Sequence, residues 1–548
     1  MVFDIGILAF GILDISAPTL HNQENPMIAS DIFSKEDLEQ IKEHGLSFEA
    51  VLRQLEQLNR PTPYLHLVRP CKIGDGIEKI NPQDQQRYIE IFEQEVQKGR
   101  FLKFVPASGA ATRMFRVLQR YLNRGEELSF ETLAGLAEQG DKDSKEFLEF
   151  IRGLKNLGFY YELCRVMREK GYDIEKLYET GRFRDIVRFI LGPEGLHYAD
   201  TPKALVLFHR YNGKARTALE EHLVEAAHYV ADASGRTPLH FTVADEHMEK
   251  FRSFLDAAIP RYEKQIGVKY HVELSVQKKS TDTIAIDLEG RPFRLANGRL
   301  LFRPAGHGAL IENLNDLHAD IIFIKNIDNV VPDHLKPETY KWKKILGGML
   351  VSLQTRIHGY LGNLEKASLS HAEQEEILNF LKNELRANLP DKFDTLDRHT
   401  KRNFLLKLLN RPIRVCGMVR NVGEPGGGPF WVKDKDGQVS RQIVEVAQID
   451  PSSEEQQAIL RASTHFNPVD LACGVRDWQG NPFDLRQFVD PDAVFISKKS
   501  KDGRDLKALE LPGLWNGAMA KWITFFVEVP LITFNPVKTV NALLSRSS

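Results

Sequence analysis

The sequence predicts an α/β protein with a mixed, mostly parallel sheet and helical insertions. Three observations support this fold class. Short apolar segments that are typical of buried strands recur along the chain. Segments with helical periodicity, such as 217–230 and 246–254, separate them, and this alternation favours parallel strands. The segment 101–105 also runs directly into a loop of small residues and then a helix, which is an arrangement that binds phosphate groups.

Composition and charge narrow the function classes. With 548 residues the chain is too long to fold around a single hydrophobic core. At roughly 100 to 200 residues per domain we expect about two to four units. The 73 Lys and Arg residues nearly balance the 75 Asp and Glu residues, so no net charge draws the protein to nucleic acid or to a membrane. Four scattered cysteines without a CxxC pair argue against zinc and disulfides and predict a cytoplasmic location.

The N-terminus combines an apolar stretch, 2–20, with a second methionine at Met27. The stretch contains Asp4 and Asp14 and lacks a basic start, so we expect neither a signal peptide nor a membrane anchor there. Our hypothesis is that residues 1–26 are an upstream extension that is not translated. An intact-mass measurement that finds these residues in the native protein would refute it.

The periodicity of the segments divides the chain into four parts. They are an N-terminal extension and helical region (1–100), a core (101–335) with a helical insertion at 120–200, a helical segment (336–410), and a C-terminal part that completes the catalytic domain (411–548). Further strands are predicted at 202–208, 239–243, 270–274, 321–324 and 413–419, and a flexible loop at 423–429. Three roles are open for the helical segments, namely lids, dimer surfaces and platforms for partners. Their composition favours none of the three. The oligomeric state is equally open.

The loop after the strand at 101–105 offers a place for a triphosphate. Its small side chains let a ligand approach several backbone N–H groups at the start of the next helix, and Arg113 adds a cation that can bind a phosphate through two hydrogen bonds. The alternative is a tight connection without a ligand. The loop matches neither GxxxxGK(S/T) nor GxGxxG. Its candidate residues are Ala107, Ser108, Gly109, Ala110, Ala111, Thr112 and Arg113.

Two further segments place chemically useful side chains beside predicted strands. Lys203 follows Pro202 directly before an apolar strand, where its ammonium group either stabilises a transferring phosphoryl group or is simply solvated. His307 lies between Gly306 and Gly308. The two glycines let the backbone reach a ring or a ribose, and His307 either bonds to such a ligand or is a loop histidine without one.

Three polar residues follow the strand at 321–324, namely Asn326, Asp328 and Asn329. Open α/β sheets bind ligands at the carboxyl ends of their strands. A carboxylate there suits a Mg²⁺ ion that is shared with substrate phosphates, which makes Asp328 the candidate metal ligand. The alternative is a turn rich in Asn and Asp that only ends the strand.

The order of these segments resembles that of the sugar nucleotidyltransferases, among them the UDP-glucose and UDP-N-acetylhexosamine pyrophosphorylases. The loop is similar to the family's LAGGxGTRLG, although Ser108, Ala111 and Phe115 replace glycines of that motif. The segment 303–310 resembles the family's PPGHGD, and 322–329 resembles its strand that ends in NxDN.

Three weaker correspondences complete this resemblance, which covers 101–335 and 411–540. Lys203 resembles the lysine of the family's Pro-Lys pair, displaced by the helical insertion, and Gln277 resembles the Gln before its substrate-handling strand. Lys538 lies at the lysine of a segment similar to EFxPxK. For the family's second metal-binding Asp we take Glu528.

The resemblance implies a three-layer, Rossmann-like fold of the GT-A type and a reaction between a nucleoside triphosphate, with UTP favoured, and a sugar 1-phosphate. It implies Mg²⁺ as the cofactor, held by Asp328 and Glu528, and it makes Arg113, Lys203 and Lys538 catalytic. The substrate-binding residues would be those of the loop together with Gln277, Gly306, His307, Gly308, Asn326 and Asn329.

Two segments, 463–470 and 509–519, resemble the bacterial family of the domain of unknown function DUF4301. Two other functions stay open beside the pyrophosphorylase. One is a glycosyltransferase-like enzyme that consumes a nucleotide sugar, and release of pyrophosphate from a triphosphate would distinguish it. The other is a nucleotide-binding protein without catalysis, and the replaced glycines of the loop favour this alternative.

Overall fold

The computed structural model describes residues 32–366, 370–390, 392–423 and 426–544. The hypothesis about residues 1–26 therefore lies outside the described residues. The helices are α1 (Lys35–Glu43), α2 (Phe48–Asn59), α3 (Pro82–Val96), α4 (Arg116–Asn123), α5 (Phe130–Glu138), α6 (Lys142–Gly153), α7 (Tyr160–Glu169), α8 (Ile174–Glu179), α9 (Phe183–Leu191), α10 (Ala218–Tyr229), α11 (Met248–Ile266), α12 (Ile311–Asn315), α13 (Lys336–Glu365), α14 (His371–Asn379), α15 (Arg398–Leu409) and α16 (Glu454–Arg461).

The strands are β1 (His66–Pro70), β2 (Lys72–Ile73), β3 (Gly76–Glu78), β4 (Phe101–Pro106), β5 (Leu207–Tyr211), β6 (Lys214–Thr217), β7 (Arg236–Val243), β8 (Lys269–Val276), β9 (Thr283–Ile286), β10 (Phe302–Arg303), β11 (Ile321–Lys325), β12 (Ile413–Arg420), β13 (Gly428–Lys433), β14 (Val439–Val444), β15 (His465–Phe466), β16 (Asp470–Gly474), β17 (Phe495–Lys501), β18 (Arg504–Glu510) and β19 (Ile523–Glu528). None of the helices in the described ranges, α13 included, is both long and apolar enough to cross a membrane.

The main sheet confirms the mixed α/β prediction. Its strand order is β2-β3-β19-β12-β16-β11-β4-β7-β8, with β15 paired to β12. Most neighbouring strands are parallel, while β16 runs antiparallel to both β11 and β12. As a result β4, β7, β8, β11, β12 and β19 all point their carboxyl ends to one edge. We call this edge the carboxyl edge.

The two faces of the main sheet carry different cores, because successive side chains of a strand point to opposite faces. Phe323 on β11 packs with Phe92 and Phe101 in the larger core, on the side of α3, α10 and α13. Its neighbours Ile322 and Ile324 belong to the smaller core on the other face, under α12. The β11 strand is thus buried on both sides, as parallel strands commonly are.

Six helices, α4 to α9, fill the chain between Arg116 and Leu191, the stretch of the predicted helical insertion. The strand predicted at 202–208 is wrong in its position. The structure has a 3-10 turn at Lys203–Leu205 and then the hairpin β5-β6, which pairs with no strand of the main sheet. Asn212 and Gly213 connect the hairpin with φ values of 39° and 82°. Such a pair with positive φ favours a tight hairpin over a core strand.

Two smaller sheets flank the main one. Helices α1 and α2 share a core with the four-stranded sheet β10-β9-β18-β17, and β1, β13 and β14 form a three-stranded sheet. The first part of the chain is therefore less helical than predicted, because β1, β2 and β3 lie between α2 and α3. The predicted loop 423–429 likewise ends early, since β13 begins at Gly428.

Candidate functional site

The small-residue loop lies at the carboxyl end of β4. The N–H of Ala107 donates to the carbonyl of Thr242 on β7 at 2.8 Å, which fixes the start of the loop. Ala107 and Ala111 are buried, whereas the residues between them and Arg113 are exposed. A Cβ added at Gly109 would meet no atom within 4 Å. Packing does not require glycine at this position, so its absent side chain leaves space above the backbone for a ligand.

Lys203 joins this loop to Asp328. An isolated β-bridge links Pro202 to Ala110, and the Lys203 N–H donates to the Gly109 carbonyl at 3.1 Å. The ammonium Nζ of Lys203 then donates to the Asp328 carboxylate at 2.8 Å. The side chains of Lys203 and Asp328 are 12% and 22% exposed, so the pair is reachable from solvent yet shielded. We call these two residues and loop 108–113 the lysine–aspartate cluster.

A C-terminal segment holds the turn that carries Asp328. The Val537 N–H donates to the Asp328 carbonyl at 3.0 Å, and the Asn535 N–H donates to the Asn329 side-chain oxygen at 2.9 Å. Asn326 closes the turn by accepting from the Asn329 N–H at 3.1 Å. Lys538 follows Val537 directly, so its backbone lies next to the turn that carries Asp328.

Lys538 and Glu528 both lie beside β15. The ammonium of Lys538 lies 5.6 Å from the ring centroid of Phe466, and Glu528 Oε1 lies 3.5 Å from His465 Nε2 and 3.4 Å from Arg420 Nε. Two strands separate the ends of β19 and β11 in the sheet, which is ~14 Å at about 4.8 Å per strand. The structure therefore does not bring Glu528 to Asp328.

The described residues offer few side chains that could bind a Mg²⁺ ion. No group of three or more His, Cys, Asp and Glu side chains that could hold a metal ion occurs in the part of the chain that the structure describes. Mg²⁺ is commonly held by one or two carboxylates together with substrate phosphates. Asp328 is bonded to Lys203 but lies beside the exposed loop, where a substrate phosphate could share the ion, so it fits that one-carboxylate role. Glu528 faces Arg420 and His465 away from the loop.

The second predicted group, Gly306 to Gly308, is packed against the segment 510–516. A Cβ on Gly308 would lie 2.3 Å from the Pro512 carbonyl oxygen, so this glycine is needed for the close approach of two backbones. The His307 ring stacks on Trp515 with centroids 4.2 Å apart, and its Nδ1 accepts from the Leu514 N–H at 3.0 Å. Its Nε2 lies 3.4 Å from the Glu445 carboxylate.

Gln277 is tied to this second group through α12. It directly follows β8, and Asn313 of α12 donates from its side-chain amide to Ser275 Oγ at 2.8 Å and to the Val276 carbonyl at 2.9 Å. The turn of Gly306 and His307 leads directly into α12. The two predicted groups therefore both lie along the carboxyl edge, one at β4 and β11 and the other at β8.

Buried polar atoms without partners lie along the same edge. Within the described ranges, four of them belong to β7 and to residues that follow or cover β8 and β11: Thr242 Oγ1, Gln277 Nε2, Asn313 Oδ1 and Asn329 Nδ2. Buried polar groups are nearly always hydrogen bonded in native proteins. At the carboxyl edge these four atoms are open to hydrogen bonds with a ligand or with ordered water.

Sequence reasoning missed a buried charge network beneath this edge. Glu225 of α10 accepts from Lys103 of β4 at 3.0 Å and from Lys325 of β11 at 2.8 Å, and all three side chains are fully buried. Burial opposes ionisation of Glu225, but the two lysines outweigh it and hold its pKa well below the usual value. His222, one helical turn before Glu225, contacts the Ile327 carbonyl at 3.2 Å through Nε2.

This network fixes the strands that carry the site. Lys103 precedes the small-residue loop and Lys325 precedes the Asp328 turn, so one carboxylate holds both strand ends. Burial lowers the pKa of Lys103 to about 7 despite the opposite effect of Glu225. The available signal in the sequence was a lysine inside each of two strongly apolar segments, 101–106 and 321–325.

Comparisons with known proteins were made for the whole chain. Among solved structures, a mutant of UDP-glucose pyrophosphorylase from Leishmania major is similar with a TM-score of 0.42 and 13% identity, over 93% of this chain and 78% of that one. The UDP-N-acetylglucosamine pyrophosphorylase from Trypanosoma brucei, in complex with an inhibitor, is similar with a TM-score of 0.45 and 12% identity, over 96% and 82%. A search of curated proteins found no match. The family model described as "Domain of unknown function (DUF4301)" matches residues 34–548, and the chain belongs to this family.

Proposed function

We propose that the protein is a nucleotidyltransferase of three-layer, Rossmann-like GT-A type. It condenses a nucleoside triphosphate, with UTP favoured, and a sugar 1-phosphate to a nucleotide sugar and pyrophosphate. The observation that carries the proposal is the double role of Lys203, whose backbone bonds to Gly109 of the loop while its ammonium bonds to Asp328. A phosphate-binding loop, a cation and a carboxylate thus meet at the carboxyl edge, where such sheets bind nucleotides.

The proposed reaction is a single displacement. An oxygen of the sugar 1-phosphate attacks the α-phosphorus of the triphosphate, and the bond from that phosphorus to the oxygen bridging to the β-phosphate breaks. Pyrophosphate leaves with the electron pair, and no proton transfer is required. Such reactions depend mainly on positioning and on neutralising charge, which a loop of backbone N–H groups and nearby cations can supply.

Residues of the lysine–aspartate cluster, together with Lys538, have separate roles in this displacement. The exposed N–H groups of Ser108 to Ala110 and the Arg113 guanidinium bind the β- and γ-phosphates. Lys203 and Lys538 neutralise charge around the α-phosphate. When bound, Mg²⁺ would draw charge from the phosphate oxygens, and Asp328 is the residue that would hold it.

The second predicted group of residues, at β8 and α12, binds the base and the sugar in this proposal. We assign to it Gln277, Gly306, His307 and Gly308, with the amides of Asn326 and Asn329 at the boundary between the two groups. The unsatisfied Nε2 of Gln277 is a donor that suits a carbonyl oxygen of a pyrimidine base. UTP is therefore the first triphosphate to test.

The replaced glycines of the loop do not obstruct this assignment. Ala111 and Phe115 are buried, and the Phe115 ring stacks on Tyr198 with centroids 5.3 Å apart, so both point away from the exposed side of the loop. Ser108 is exposed and adds a hydroxyl. The exposed surface of the loop, which would face the ligand, thus retains Gly109, and the neighbours Ser108 and Ala110 have small side chains.

Purified protein with Mg²⁺, UTP and a panel of sugar 1-phosphates tests the proposal by pyrophosphate release and by detection of the nucleotide sugar. Asp328→Asn and Lys203→Gln should each lower kcat by at least about 100-fold, since each removes charge stabilisation of the transition state. Asp256→Asn and Lys264→Gln, at exposed positions of α11, are the matched controls. Wild-type turnover in Asp328→Asn would refute the assignment of Asp328.

Two outcomes would support the rival functions. Consumption of a nucleotide sugar without any pyrophosphate formation from UTP would indicate a glycosyltransferase-like enzyme. Stabilisation of the protein by UTP, measured as a rise in Tm, without product across the whole panel would indicate a nucleotide-binding protein that does not catalyse.

A further inference from the structure

A row of cationic and aromatic side chains crosses the three-stranded sheet, away from the carboxyl edge. Arg69 on β1 and Arg441 on β14 are both direct cross-strand neighbours of Trp431 on β13. Their guanidinium groups lie 4.9 and 5.8 Å from the Trp431 ring centroid. Arg386, which follows a π-helix at Phe380–Leu385, lies 5.8 Å from the same centroid. Three arginines therefore surround one indole.

A cavity of about 600 Å³ opens beside this row. Its polar walls are formed by Arg69, Lys382, Asn383, Arg386 and Asn388, and the described residues that line it include no Asp or Glu. A second cavity of about 530 Å³ shares Lys382 and Asn388 with it. Each of the two spaces lies within the range of small-molecule sites, about 300 to 1,000 Å³.

The positive charge around the cavity is only partly compensated. One carboxylate, Asp75, accepts from Arg69 Nε at 2.7 Å and from Arg386 at 2.6 Å. Lys382 has no ion-pair partner among the described residues. Arg441 is buried and donates to the Glu384 carbonyl at 3.0 Å, and burial lowers its pKa to about 10. Glu78 also acts on Arg441, but burial raises the pKa of Glu78.

The backbone at the cavity departs from regular helix geometry. The π-helix ends at Arg386 with a left-handed φ of 53°. Both features cost free energy and recur at functional sites. Here they turn the Arg386 side chain back onto the sheet, where it donates to Asp75 and to the Gly74 carbonyl.

We infer that this cavity binds a small phosphorylated, hydroxyl-bearing metabolite of the sugar-phosphate class, at a site separate from the nucleotidyltransferase cleft. Arginine and lysine side chains are the usual partners of a phosphate group, and Asn383 and Asn388 offer amides for hydroxyl groups. A nucleotide fits less well. Trp431 is only 2% exposed and its ring is surrounded by guanidinium groups, so it offers no open face for stacking a base.

The experiment measures binding by titration calorimetry to the full chain, without UTP or Mg²⁺. The probes are fructose 1,6-bisphosphate, glucose 6-phosphate, inorganic phosphate and UTP. We expect at least one of the two sugar phosphates to bind with a Kd of about 1 mM or tighter, and more tightly than inorganic phosphate. Neither of these sugar phosphates carries a phosphate on its anomeric carbon, so neither can bind as the sugar 1-phosphate substrate of the proposed reaction.

Four variants locate the binding. Lys382→Gln should weaken it about 3-fold and Arg386→Gln about 10-fold, since an arginine can donate two hydrogen bonds to a phosphate. Lys264→Gln, at an exposed lysine of α11, is the matched control and should bind as the wild type does. Lys203→Gln in the cleft should also leave this binding unchanged. Lys382 is exposed, so its variant preserves the fold even if Arg386→Gln does not.

Four results would overturn the inference. They are the absence of sugar-phosphate binding up to about 10 mM, equal weakening by Lys382→Gln and Lys264→Gln, loss of binding in Lys203→Gln, and binding of inorganic phosphate or UTP as tight as that of the sugar phosphates. None of them depends on turnover, so the inference can fail while the nucleotidyltransferase proposal stands, and the reverse also holds.

Discussion

Two groups of cations in this molecule differ in burial and in how their charge is compensated. Beneath the carboxyl edge, Lys103 and Lys325 share the carboxylate of Glu225, and Lys343 is hydrogen bonded to Asp470. Around Trp431, by contrast, Arg69 and Arg386 are 44% and 40% exposed and share the half-exposed carboxylate of Asp75, while the buried Arg441 donates to the Glu384 carbonyl. The fully paired, buried cations fix the fold, whereas the cations around Trp431 share too little negative charge and keep a capacity to bind an anion.

Removal of the shared carboxylate should have the largest effect. Glu225→Gln leaves Lys103 and Lys325 buried without a counter-charge, and breaking a buried ion pair from one side costs about 3 to 5 kcal/mol. Urea unfolding monitored by circular dichroism would measure the loss. Glu249→Gln, at an exposed position on α11, is the control and should change stability by less than ~0.5 kcal/mol.

A cost below about 1 kcal/mol for Glu225→Gln would break the comparison. It would mean that the lysines find other partners or lose their protons when the carboxylate is absent. Either result would remove the distinction between the fully compensated cations beneath the carboxyl edge and the partly compensated cations around Trp431.

The second largest effect is expected in the pH dependence of stability, which should differ between the two groups of cations. The pKa of Lys103 is about 7 in the folded protein against 10.5 as its ordinary value. Between these values the unfolded chain binds the additional proton, so the contribution of Lys103 makes stability rise with pH, by at most about 1.4 kcal/mol per unit. Below pH 7 this contribution is constant. Lys103→Met should remove that rise when unfolding is measured from pH 7 to 9.

Arg441 should behave differently in the same pH window. Its pKa, lowered to about 10, leaves it charged up to pH 9 in both states, so Arg441→Met should not change the slope. A reduced slope in Arg441→Met, or an unchanged slope in Lys103→Met, would contradict the assignment of the titrating group.

The smallest effect on stability is expected at the uncompensated group. Asp75 is 39% exposed, and such exposed pairs contribute about 0 to 1 kcal/mol, so Asp75→Asn should cost less than ~1 kcal/mol. It also removes the carboxylate that competes for Arg69 and Arg386. Calorimetry should therefore show sugar-phosphate binding about three-fold tighter than in the wild type. Weaker binding would show that Asp75 orients the arginines rather than competing for them.

Local patterns in the sequence predicted much of the fold. The alternation of apolar strands and helices identified β4, β7, β8, β11 and β12, and the predicted helix at 217–230 matches α10, whose N-cap Thr217 forms a capping box with Glu220. The strand at 202–208 was misplaced because the turn at Asn212 and Gly213, which closes a hairpin, was overlooked.

The candidate site was predictable residue by residue but not as an arrangement. The motifs pointed to the loop, to Lys203 and to Asp328 separately, while the bonds that join them connect residues more than 90 positions apart along the chain. Glu225 escaped prediction because a Glu on a helix is typical of a solvated face, and only the packing of α10 against the sheet buries it.

The bond between Lys203 and Gly109 also closes the helical insertion at its base. The chain leaves the loop at Arg116 and returns at Pro202, which pairs with Ala110, so the insertion is a closed side branch of the sheet. Loop-closure entropy grows only with the logarithm of loop length. The branch can therefore lengthen, shorten or exchange its helices at small thermodynamic cost while the lysine returns to the same place, which leaves evolution free to vary this part of the molecule without rebuilding the cleft.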